Sequence, residues 1–523
     1  MPTLTWVGKE KVVNHHLDVP FRTLDRQYTF TPSGHDDGNM IIHGDNLEAL
    51  KALLPQYEGR IRLIYIDPPY NTGNEGWIYN DNVGDPRMRA WLGQVVGSQG
   101  EDLSRHDKWL CMMYPRLKLL QKLLAEDGSI FISIGDDEVA DLRFLCNEIF
   151  GENNFIDTII WQKIYTVKNS AKYFSGMHDY IVVYAKSKDR FQRNLFPRTE
   201  ELDSTYSNPD NDPRGPWTTN AVQARNYNGA GQYTIISPNG REFRPPVGTY
   251  WRVSQSTFEE LDRDHRIWWG QDGTSVPRIK RFLAEAKQGV VPTTFWSYQE
   301  AGQNADAKLE VRRIFNDEST FDTPKPSKLI QRILQIASDP DSIILDSFAG
   351  SGTTAHAVLN MNKADGGHRR FVLVEMGDYA DRITAERVRR VINGYGEGKS
   401  AVEGTGGSFS YYELGAPLFV DGFLNPNVPM EDIRSYVYYS ETHQTILPQQ
   451  ESDPYLLGIS GDTAYYFCYE KSSATVLNAT TLSKLKTKAD RYVIYADTCA
   501  LSDEELKRLS ITFKKIPRDI TLL

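Results

Sequence analysis

Residues 60–70 read Arg-Ile-Arg-Leu-Ile-Tyr-Ile-Asp-Pro-Pro-Tyr, an apolar run that ends in a carboxylate, two prolines and an aromatic ring. The apolar run predicts a buried strand, and Pro68 and Pro69 prevent that strand from continuing. The result is a stiff loop at the carboxyl end of a strand, which presents Asp67, backbone carbonyls and the ring of Tyr70. Such a loop can accept hydrogen bonds from an amino group while the ring stacks on a flat base. Taken alone, the tetrapeptide fits an ordinary turn equally well.

A second strand-and-turn pattern lies much later in the chain. Residues 342–358 read Ser-Ile-Ile-Leu-Asp-Ser-Phe-Ala-Gly-Ser-Gly-Thr-Thr-Ala-His-Ala-Val, which predicts a strand, a small-residue turn and a helix. Gly350 and Gly352 let a ligand approach the backbone, and the helix amino terminus supplies free N–H donors. The next predicted strand, 370–374, ends in Glu375, where nucleotide-binding folds place a ribose-binding carboxylate. A dinucleotide site is an alternative, although the third glycine of the dinucleotide fingerprint is missing.

The chain between these motifs and before them alternates predicted strands and helices. In residues 40–190 these elements are predicted at 40–43, 49–54, 114–125 and 129–134. Such alternation implies an α/β fold with a doubly wound, mostly parallel, Rossmann-like sheet. Four polar or aromatic positions follow predicted strands: Asp45, Asp67, Phe348 and Glu375. Because ligands bind beyond the carboxyl ends of parallel strands, we expect these positions to converge on one site.

Both motifs resemble those of a known enzyme family. Asp67-Pro68-Pro69-Tyr70 resembles the catalytic motif of amino-methyltransferases, and residues 348–352 resemble their S-adenosylmethionine-binding motif. The catalytic loop comes first here, and that permuted order is the order of the beta class of DNA amino-methyltransferases. The chain is most similar to the Mod (methylation) subunits of Type III restriction-modification systems. The resemblance covers roughly residues 40–395.

The resemblance implies a role for each predicted site residue. Asp67 and the Pro68 carbonyl would accept hydrogen bonds from the exocyclic amine of the target base. Pro69 would fix the turn, and Tyr70 would stack on that base. The resemblance implies S-adenosylmethionine as the cofactor, bound by Asp45, Asn46, Lys325, Asp346, Phe348, Gly350, Gly352, Thr353 and Glu375.

The implied substrate is double-stranded DNA, whose target base must be flipped out of the helix to reach the loop. Trp161 or Tyr165 is predicted to form the other wall of the base pocket. Adenine N6 is the preferred acceptor, because Asp67 in the first motif position resembles adenine enzymes. Cytosine N4 and an amine in RNA are alternatives. A further alternative is a DNA-recognition subunit that directs a separate nuclease, since the sequence contains no Walker loop or helicase motif.

Composition narrows the remaining classes of protein. At 523 residues the chain is too long for one compact core, and its 40% hydrophobic content indicates a globular protein. No run of 18 apolar residues and no signal pattern is present, which predicts a cytoplasmic protein without a membrane anchor. The four cysteines form no Cys-x-x-Cys pair, so no metal site is predicted. The C-terminal region carries no catalytic pattern, and we expect it to form a homodimer or to bind a partner subunit; a stabilising appendage is the alternative. The resemblance implies a restriction (Res) subunit as a partner.

Five segments are predicted: an N-terminal arm (1–38), the catalytic half of a methyltransferase domain (39–190), a target-recognition domain (191–320), the cofactor-binding half (321–395), and a linker with a small α/β C-terminal domain (396–523). The recognition segment is dense in aromatics and arginines, which can stack on bases and bind phosphates. Alternatively, those aromatics form a small β-rich core. Residues 74–110 are predicted to be a long connection that covers the active site or contacts DNA, or else a disordered insertion.

Overall fold

The structure, a computed structural model of the chain, describes residues 3–72, 102–287, 289–316, 321–446, 448 and 452–521. The chain divides into two compact units. The first unit consists of Met1–Asn194 and Thr293–Leu523, and the second unit is Leu195–Pro292. The second unit is therefore an insertion in the chain of the first.

The first unit is built on a ten-stranded sheet. Its strands are β1 (Arg22–Phe30), β2 (Met40–His43), β3 (Ile61–Ile66), β4 (Leu124–Ile134), β5 (Phe155–Gln162), β6 (His178–Ala185), β7 (Phe295–Trp296), β8 (Ile343–Asp346), β9 (Arg370–Glu375) and β10 (Phe409–Pro417). They lie in the order β1-β10-β2-β9-β8-β3-β4-β6-β5-β7. All neighbours are parallel except at β1–β10 and on both sides of β6. The predicted α/β class with a mostly parallel sheet is confirmed.

Helices cover this sheet, and its central strands are accordingly mostly apolar. The longer helices are α1 (Asn46–Tyr57), α2 (Asp102–Leu123), α3 (Val139–Phe150), α4 (Asn304–Ile314), α5 (Ser327–Ala337), α6 (Thr353–Asp365), α7 (Glu386–Asn393) and α8 (Met430–Thr442). Shorter helices of this unit are Lys9–Val12, His15–Asp18, Tyr298–Ala301, Ala479–Lys484 and Asp503–Arg508, and Ala380–Ala385 forms a π-helix. β3 and β8 are almost entirely buried, as parallel strands packed on both faces must be.

The central sheet extends beyond the segments predicted for the methyltransferase domain. β1 comes from the predicted N-terminal arm, and β10 lies after residue 395 but pairs with β2 in the sheet. Further along the chain, a separate four-stranded sheet contains Leu456–Ser460, Thr463–Phe467, Arg491–Ala496 and Ile511–Lys515. Short two-stranded pairs are Gly394–Tyr395 with Val402–Glu403, Phe419–Val420 with Phe423–Leu424, and Val476–Leu477 with Thr498–Cys499.

The second unit is small and rich in short strands. It contains a three-stranded sheet (Trp217–Ala221, Ile267–Trp268, Arg278–Phe282), two two-stranded pairs (Ile235–Ile236 with Glu242–Phe243, Gln223–Ala224 with Tyr250–Trp251) and two helices (Glu200–Asp203, Gln255–Arg263). Trp251 and Trp269 are buried in its core. Many of the aromatics that distinguish this segment therefore form a core, as the alternative interpretation predicted. The segment from residue 293 onward belongs to the first unit, because Trp296 pairs with Trp161 of β5.

The predicted connection at residues 74–110 lies mostly outside the described residues. Its last part is helical, since α2 begins at Asp102. Across the described part of the chain, no helix is both long and apolar enough to cross a membrane.

Candidate functional site

The carboxyl ends of the two motif strands lie next to each other. β3 and β8 are adjacent and parallel, with Ile64 opposite Leu345, so the loops beginning at Asp67 and Ser347 leave the same edge of the sheet. A cavity of about 810 Å³ lies at this edge, a size typical of small-ligand sites. The predicted site residues that line it are Asp67, Pro68, Pro69, Tyr70, Lys325, Asp346, Phe348, Gly350, Thr353 and Glu375.

The carboxylate of Asp67 is held by one cation and keeps one free oxygen. Lys325 Nζ lies 2.5 Å from Asp67 Oδ2, and the same ammonium lies 5.0 Å from the centroid of the Tyr70 ring. Asp67 Oδ1 is buried and has no described donor in hydrogen-bond geometry, although the Tyr70 hydroxyl lies close enough to interact with this carboxylate. Burial, reinforced by the Asp67 carboxylate, raises the pKa of Tyr70 well above its ordinary value, so the phenol stays neutral. The loop thus offers a buried acceptor beside a neutral aromatic ring.

The catalytic loop is fixed by residues that lie far from it in the sequence. Trp109 Nε1 on α2 donates to the Pro69 carbonyl at 2.8 Å. Asn71 is fully buried, has a φ of +57°, and donates to the carboxylate of Glu138. The Tyr70 ring lies so close to Gly135 that a Cβ there would be 3.0 Å from Cδ2 of the ring. A larger residue at this glycine would therefore displace the ring.

Asp346 organises the turn that follows β8. Its Oδ1 accepts the Phe348 amide at 3.0 Å and its Oδ2 accepts the Thr354 hydroxyl at 2.5 Å. Burial raises the pKa of Asp346 to about 7. Gly350 and Gly352 have φ values of +52° and +80°, which favour glycine. Gly352 caps α6 and, unlike the other predicted turn residues, is not on the cavity wall.

Glu375 ends β9 and reaches the same turn. Its Oε2 accepts the Gly350 amide at 2.7 Å, and its Oε1 accepts the Gly377 amide at 2.8 Å. Burial raises the pKa of this carboxyl group. The rings of Phe321 and Tyr379 line the cavity beside it, with centroids 5.6 Å apart, and a Cβ on Gly350 would lie 3.3 Å from the Phe321 ring. A carboxylate, a side-chain-free turn and flat apolar walls suit a nucleoside-containing ligand.

A buried charge network supports the turn from behind. Arg387 is fully buried, and its Nη1 donates to the hydroxyls of Ser351 at 2.8 Å and Thr353 at 2.9 Å. Its Nη2 donates to Glu310 Oε2 at 3.0 Å and to His356 Nδ1 at 3.1 Å. The network ties the turn to α4 and α7. No local sequence motif predicted it, since its members come from separate helices.

Protonation of His356 is expected to destabilise this network. Burial lowers the pKa of His356 from 6.5 to about 4, so the unfolded chain binds the proton more readily than the folded chain does. The neutral imidazole therefore stabilises the fold above pH 6.5, and that contribution is lost as the pH falls to 4. We expect His356 to account for a loss of about 3 kcal/mol at pH 4. Denaturant unfolding at pH 7 and pH 4 should show a smaller difference for His356→Gln than for wild type. If the free energy of unfolding changes equally between pH 7 and pH 4 in wild type and in His356→Gln, His356 is not the source of the loss.

Asp45 and Asn46 lie beside the cavity and not on its wall. Asp45 caps α1 by accepting the Leu47 amide at 2.8 Å, and its other oxygen pairs with Arg116 at 3.1 Å. Asn46 Nδ2 donates to the Ser347 carbonyl at 3.0 Å. In the structure Asn46 therefore fixes the start of the turn after β8, and Asp45 fixes the start of α1.

The two aromatic residues predicted for the base pocket do not line the cavity. Trp161 is fully buried, and its Nε1 donates to the Gly302 carbonyl at 2.9 Å. Tyr165 is 56% exposed and stacks on Tyr298 with the ring centroids 5.2 Å apart. Trp161 therefore packs inside the first unit, where its strand pairs with β7, and does not lie on the cavity wall. Lys163, which lies between the two in sequence and which no motif indicated, does line the cavity.

One group of side chains near the catalytic loop has the composition of a metal site. Ligand-type atoms of His106, Glu138 and Asp141 lie within 4.8 Å of one another. His106 Nδ1 is 2.6 Å from Glu138 Oε1, which is a direct hydrogen bond, and Glu138 also accepts from Asn71. These hydrogen bonds explain why the three side chains lie together. We assign the group a structural role, because it holds Asn71, the residue that follows the catalytic loop.

Comparison with known proteins gives consistent matches. The DNA methylase family profile matches residues 61–386. The chain is 34% identical over 394 residues to the Type III restriction-modification enzyme StyLTI Mod subunit of Salmonella typhimurium, covering 70% of this chain and 59% of that one. It is 27% identical over 442 residues to the EcoP15I Mod subunit of Escherichia coli, and the match covers 75% of this chain and 66% of that one. The chain thus spans about three-fifths of the length of these relatives.

A shorter relative is matched over most of its length. The chain is 31% identical over 373 residues to the Type II methyltransferase M.KpnI of Klebsiella pneumoniae, covering 67% of this chain and 84% of that one. Among solved structures, a putative DNA modification methylase from Thermus thermophilus complexed with S-adenosyl-L-methionine is 15% identical, with a TM-score of 0.32. The match covers 67% of this chain and 95% of that one.

Proposed function

The chain belongs to the DNA methylase family, and from that premise we propose that it transfers a methyl group from S-adenosylmethionine to N6 of adenine in double-stranded DNA. The proposal rests on the observation that the two motif loops line the same cavity. One loop brings the unpaired acceptor Asp67 Oδ1, and the other brings the turn of Gly350 beside the buried carboxylate of Glu375. An amine-activating group and a nucleoside-binding turn in one cavity suit methyl transfer to a base.

The residues of the cofactor turn fit S-adenosylmethionine. Glu375 supplies the carboxylate for the ribose hydroxyls, Gly350 leaves its backbone open, and the rings of Phe321, Phe348 and Tyr379 offer flat walls to the adenine. When bound, this cofactor supplies an activated methyl group on a sulfonium that needs no acid to leave. The amine exchanges one proton for that methyl group, so the protein has to align the amine and to provide an acceptor, Asp67, through which the proton leaves.

The catalytic loop performs that alignment. An aromatic amine is a poor nucleophile because its lone pair is delocalised into the ring. Asp67 Oδ1 accepts a hydrogen bond from the amine, which favours a tetrahedral nitrogen and frees the lone pair. The Pro68 carbonyl accepts from the second N–H, Pro69 fixes the turn, and Tyr70 stacks on the base. Lys325 holds the other oxygen of Asp67, so the acceptor does not have to be oriented at the moment of reaction.

The second unit is proposed as the target-recognition domain, within the predicted 191–320 segment. Several of its arginines are exposed and able to contact phosphates or base edges, among them Arg225, Arg244, Arg252 and Arg281. Tyr227 is 82% exposed, unlike the core tryptophans of this unit, and offers a ring for stacking. Delivery of the base requires flipping it from the duplex, at a cost of a few kcal/mol.

The proposal also covers the subunits with which this chain assembles. Two of the relatives are Mod subunits of Type III restriction-modification enzymes, so a restriction (Res) subunit is the proposed partner, with the cytoplasm as the place of action. The chain is proposed to form a homodimer. Light scattering of the purified protein, alone and with a co-expressed Res subunit, tests both points. A monomer that co-purifies with no Res subunit would contradict them.

The proposed reaction can be tested directly on unmodified DNA. Purified protein is incubated with isotope-labelled S-adenosylmethionine and a genome amplified in vitro, and the nucleosides are analysed by mass spectrometry. We expect labelled N6-methyladenine, and single-molecule sequencing of the product should place it within one sequence motif.

The controls separate the alternative substrates. Total RNA and single-stranded DNA are treated in parallel with the duplex. Labelled N4-methylcytosine without N6-methyladenine would contradict the adenine assignment. Label in RNA alone would contradict the DNA assignment.

A further inference from the structure

Two charged side chains that no motif predicted form an ion pair on the wall of the cavity. Lys163 follows β5, and Asp179 lies on the antiparallel neighbour β6. Lys163 Nζ is 2.6 Å from Asp179 Oδ1, and Asp179 is only 5% exposed. Both residues line the same cavity as Asp67 and Tyr70. This ion pair is therefore part of the site and not of the outer surface.

The ion pair is held in place and lies within electrostatic range of the catalytic loop. The Lys163 carbonyl accepts the Asn304 amide at 3.0 Å, at the start of α4. Burial raises the pKa of Asp179, and the carboxylate of Asp67 also acts to raise it. Lys163 contributes an ammonium with three N–H donors, of which the pair with Asp179 uses one. Within the described part of the chain this ammonium has no other acceptor, so its remaining N–H donors can serve a ligand in the cavity.

Adenine and cytosine, which carry an amine at C6 and at C4 respectively, share a distinctive edge. In adenine the amine at C6 lies next to N1, and in cytosine the amine at C4 lies next to N3, and both ring nitrogens accept hydrogen bonds. In guanine and thymine the corresponding ring nitrogen carries a hydrogen and the exocyclic group is a carbonyl. A site that selects an aminated base therefore needs one acceptor for the amine and one donor for the ring nitrogen.

We propose that Lys163, oriented by Asp179, is a base-binding residue that donates a hydrogen bond to the ring nitrogen next to the target amine. The inference rests on the proposed function and adds to it the second half of base recognition. Asp67 Oδ1 is the acceptor for the amine, and Lys163 Nζ is the donor for the ring nitrogen. Guanine and thymine would place a hydrogen towards the ammonium and a carbonyl towards the carboxylate, and both contacts are repulsive.

The test uses a target base that lacks the ring nitrogen. Duplexes that contain the methylation motif are made with adenine or with 1-deazaadenine, which replaces N1 by C–H, at the target position. Wild-type kcat/KM is expected to fall by about 10- to 100-fold on the analogue, as for a lost hydrogen bond to a charged group. The Lys163→Met variant has already lost the donor, so its two substrates should differ by no more than about twofold.

The ratio of kcat/KM on the adenine duplex to kcat/KM on the 1-deazaadenine duplex separates base binding from a structural role. A merely structural lysine would lower activity on both substrates and leave the ratio unchanged. Lys308 is an exposed lysine on the same cavity, and Lys308→Met should keep the wild-type ratio. If Lys163→Met does not fold because Asp179 is left unpaired, the double variant with Asp179→Asn removes the unpaired charge and should show the same loss of discrimination.

The outcomes are distinguishable from failure of the proposed function. If wild type transfers no methyl group to the adenine duplex, the proposed function fails and this inference fails with it. If wild type is active and the analogue ratio is the same in wild type and in the Lys163 variants, the inference alone is overturned.

Discussion

Asp67→Asn is expected to reduce methyl transfer by about 100- to 1000-fold, as does removal of one preorganised group at other reacting centres. The variant keeps the size of the side chain, but it exchanges the negatively charged acceptor for a neutral amide. It also weakens the ion pair with Lys325. Cofactor affinity should be largely unchanged, because the Glu375 end of the cavity is untouched. Initial rates with labelled cofactor and calorimetric titration of the cofactor measure the two effects separately.

Asp322→Asn is the matched control for this prediction. Asp322 is an exposed acid that lines the same cavity, so the substitution removes the same charge without removing the buried acceptor. Its rate should stay close to that of wild type. Near wild-type transfer by Asp67→Asn, or an equal loss in both variants, would show that Asp67 is not the group that activates the amine.

The fold was largely predictable because its two motif strands carry local signals. β3 and β8 are short apolar runs that end in a turn, and the rule that parallel sheets bind ligands at the carboxyl ends of strands placed their loops together. The positions of β1 and β10 were not predictable in the same way. Both strands lie at one side of the sheet, outside the repeating strand–helix pattern, and their pairing joins segments that are far apart in the sequence.

The candidate site was predicted where it depends on loops and missed where it depends on long-range contacts. Asp67 and Gly350 stand in local motifs, and the structure brings them to one cavity. The matches to DNA methylases confirm the family that those motifs indicated. Lys163 and Arg387 carry no local signal, since their partners Asp179 and Glu310 come from other elements. Such contacts become visible only when the chain is folded.

Lys325 connects the two halves of the site in a way that the sequence did not indicate. The family resemblance implies that Lys325 binds the cofactor. In the structure its ammonium contacts Asp67 and lies over the ring of Tyr70, while its carbonyl accepts the hydroxyl of Thr353 in the cofactor turn at 3.2 Å. One residue thus joins the turn to the amine acceptor through its backbone and its side chain. The position of Asp67 therefore depends on the order of the turn.

Glu375→Ala is expected to weaken binding of S-adenosylmethionine by about 100-fold, as for the loss of one or two hydrogen bonds to a charged group. Two effects contribute to this loss. The carboxylate holds the Gly350 and Gly377 amides, and we propose that it also accepts from the ribose hydroxyls. Calorimetric titration measures the affinity, and thermal unfolding shows whether the variant remains folded. Asp378→Ala, which removes an exposed acid three residues further on, should leave the affinity unchanged.

Glu375→Gln separates ordering of the turn from contact with the ribose. The amide keeps an oxygen that can accept the Gly350 amide, but it lacks the charge and the second acceptor. If the carboxylate acts only by holding the Gly350 amide, Glu375→Gln should bind the cofactor nearly as well as wild type, because one oxygen is enough for that contact. If it contacts the ribose, Glu375→Gln should lose most of the affinity that Glu375→Ala loses. In that case a cofactor analogue without the ribose 2′-hydroxyl should bind wild type more weakly and bind both variants about as well as the cofactor itself, since the group that recognises the hydroxyl is already gone. Equal affinity of wild type for the analogue and the cofactor would exclude contact with that hydroxyl and leave ordering of the turn as the role of Glu375.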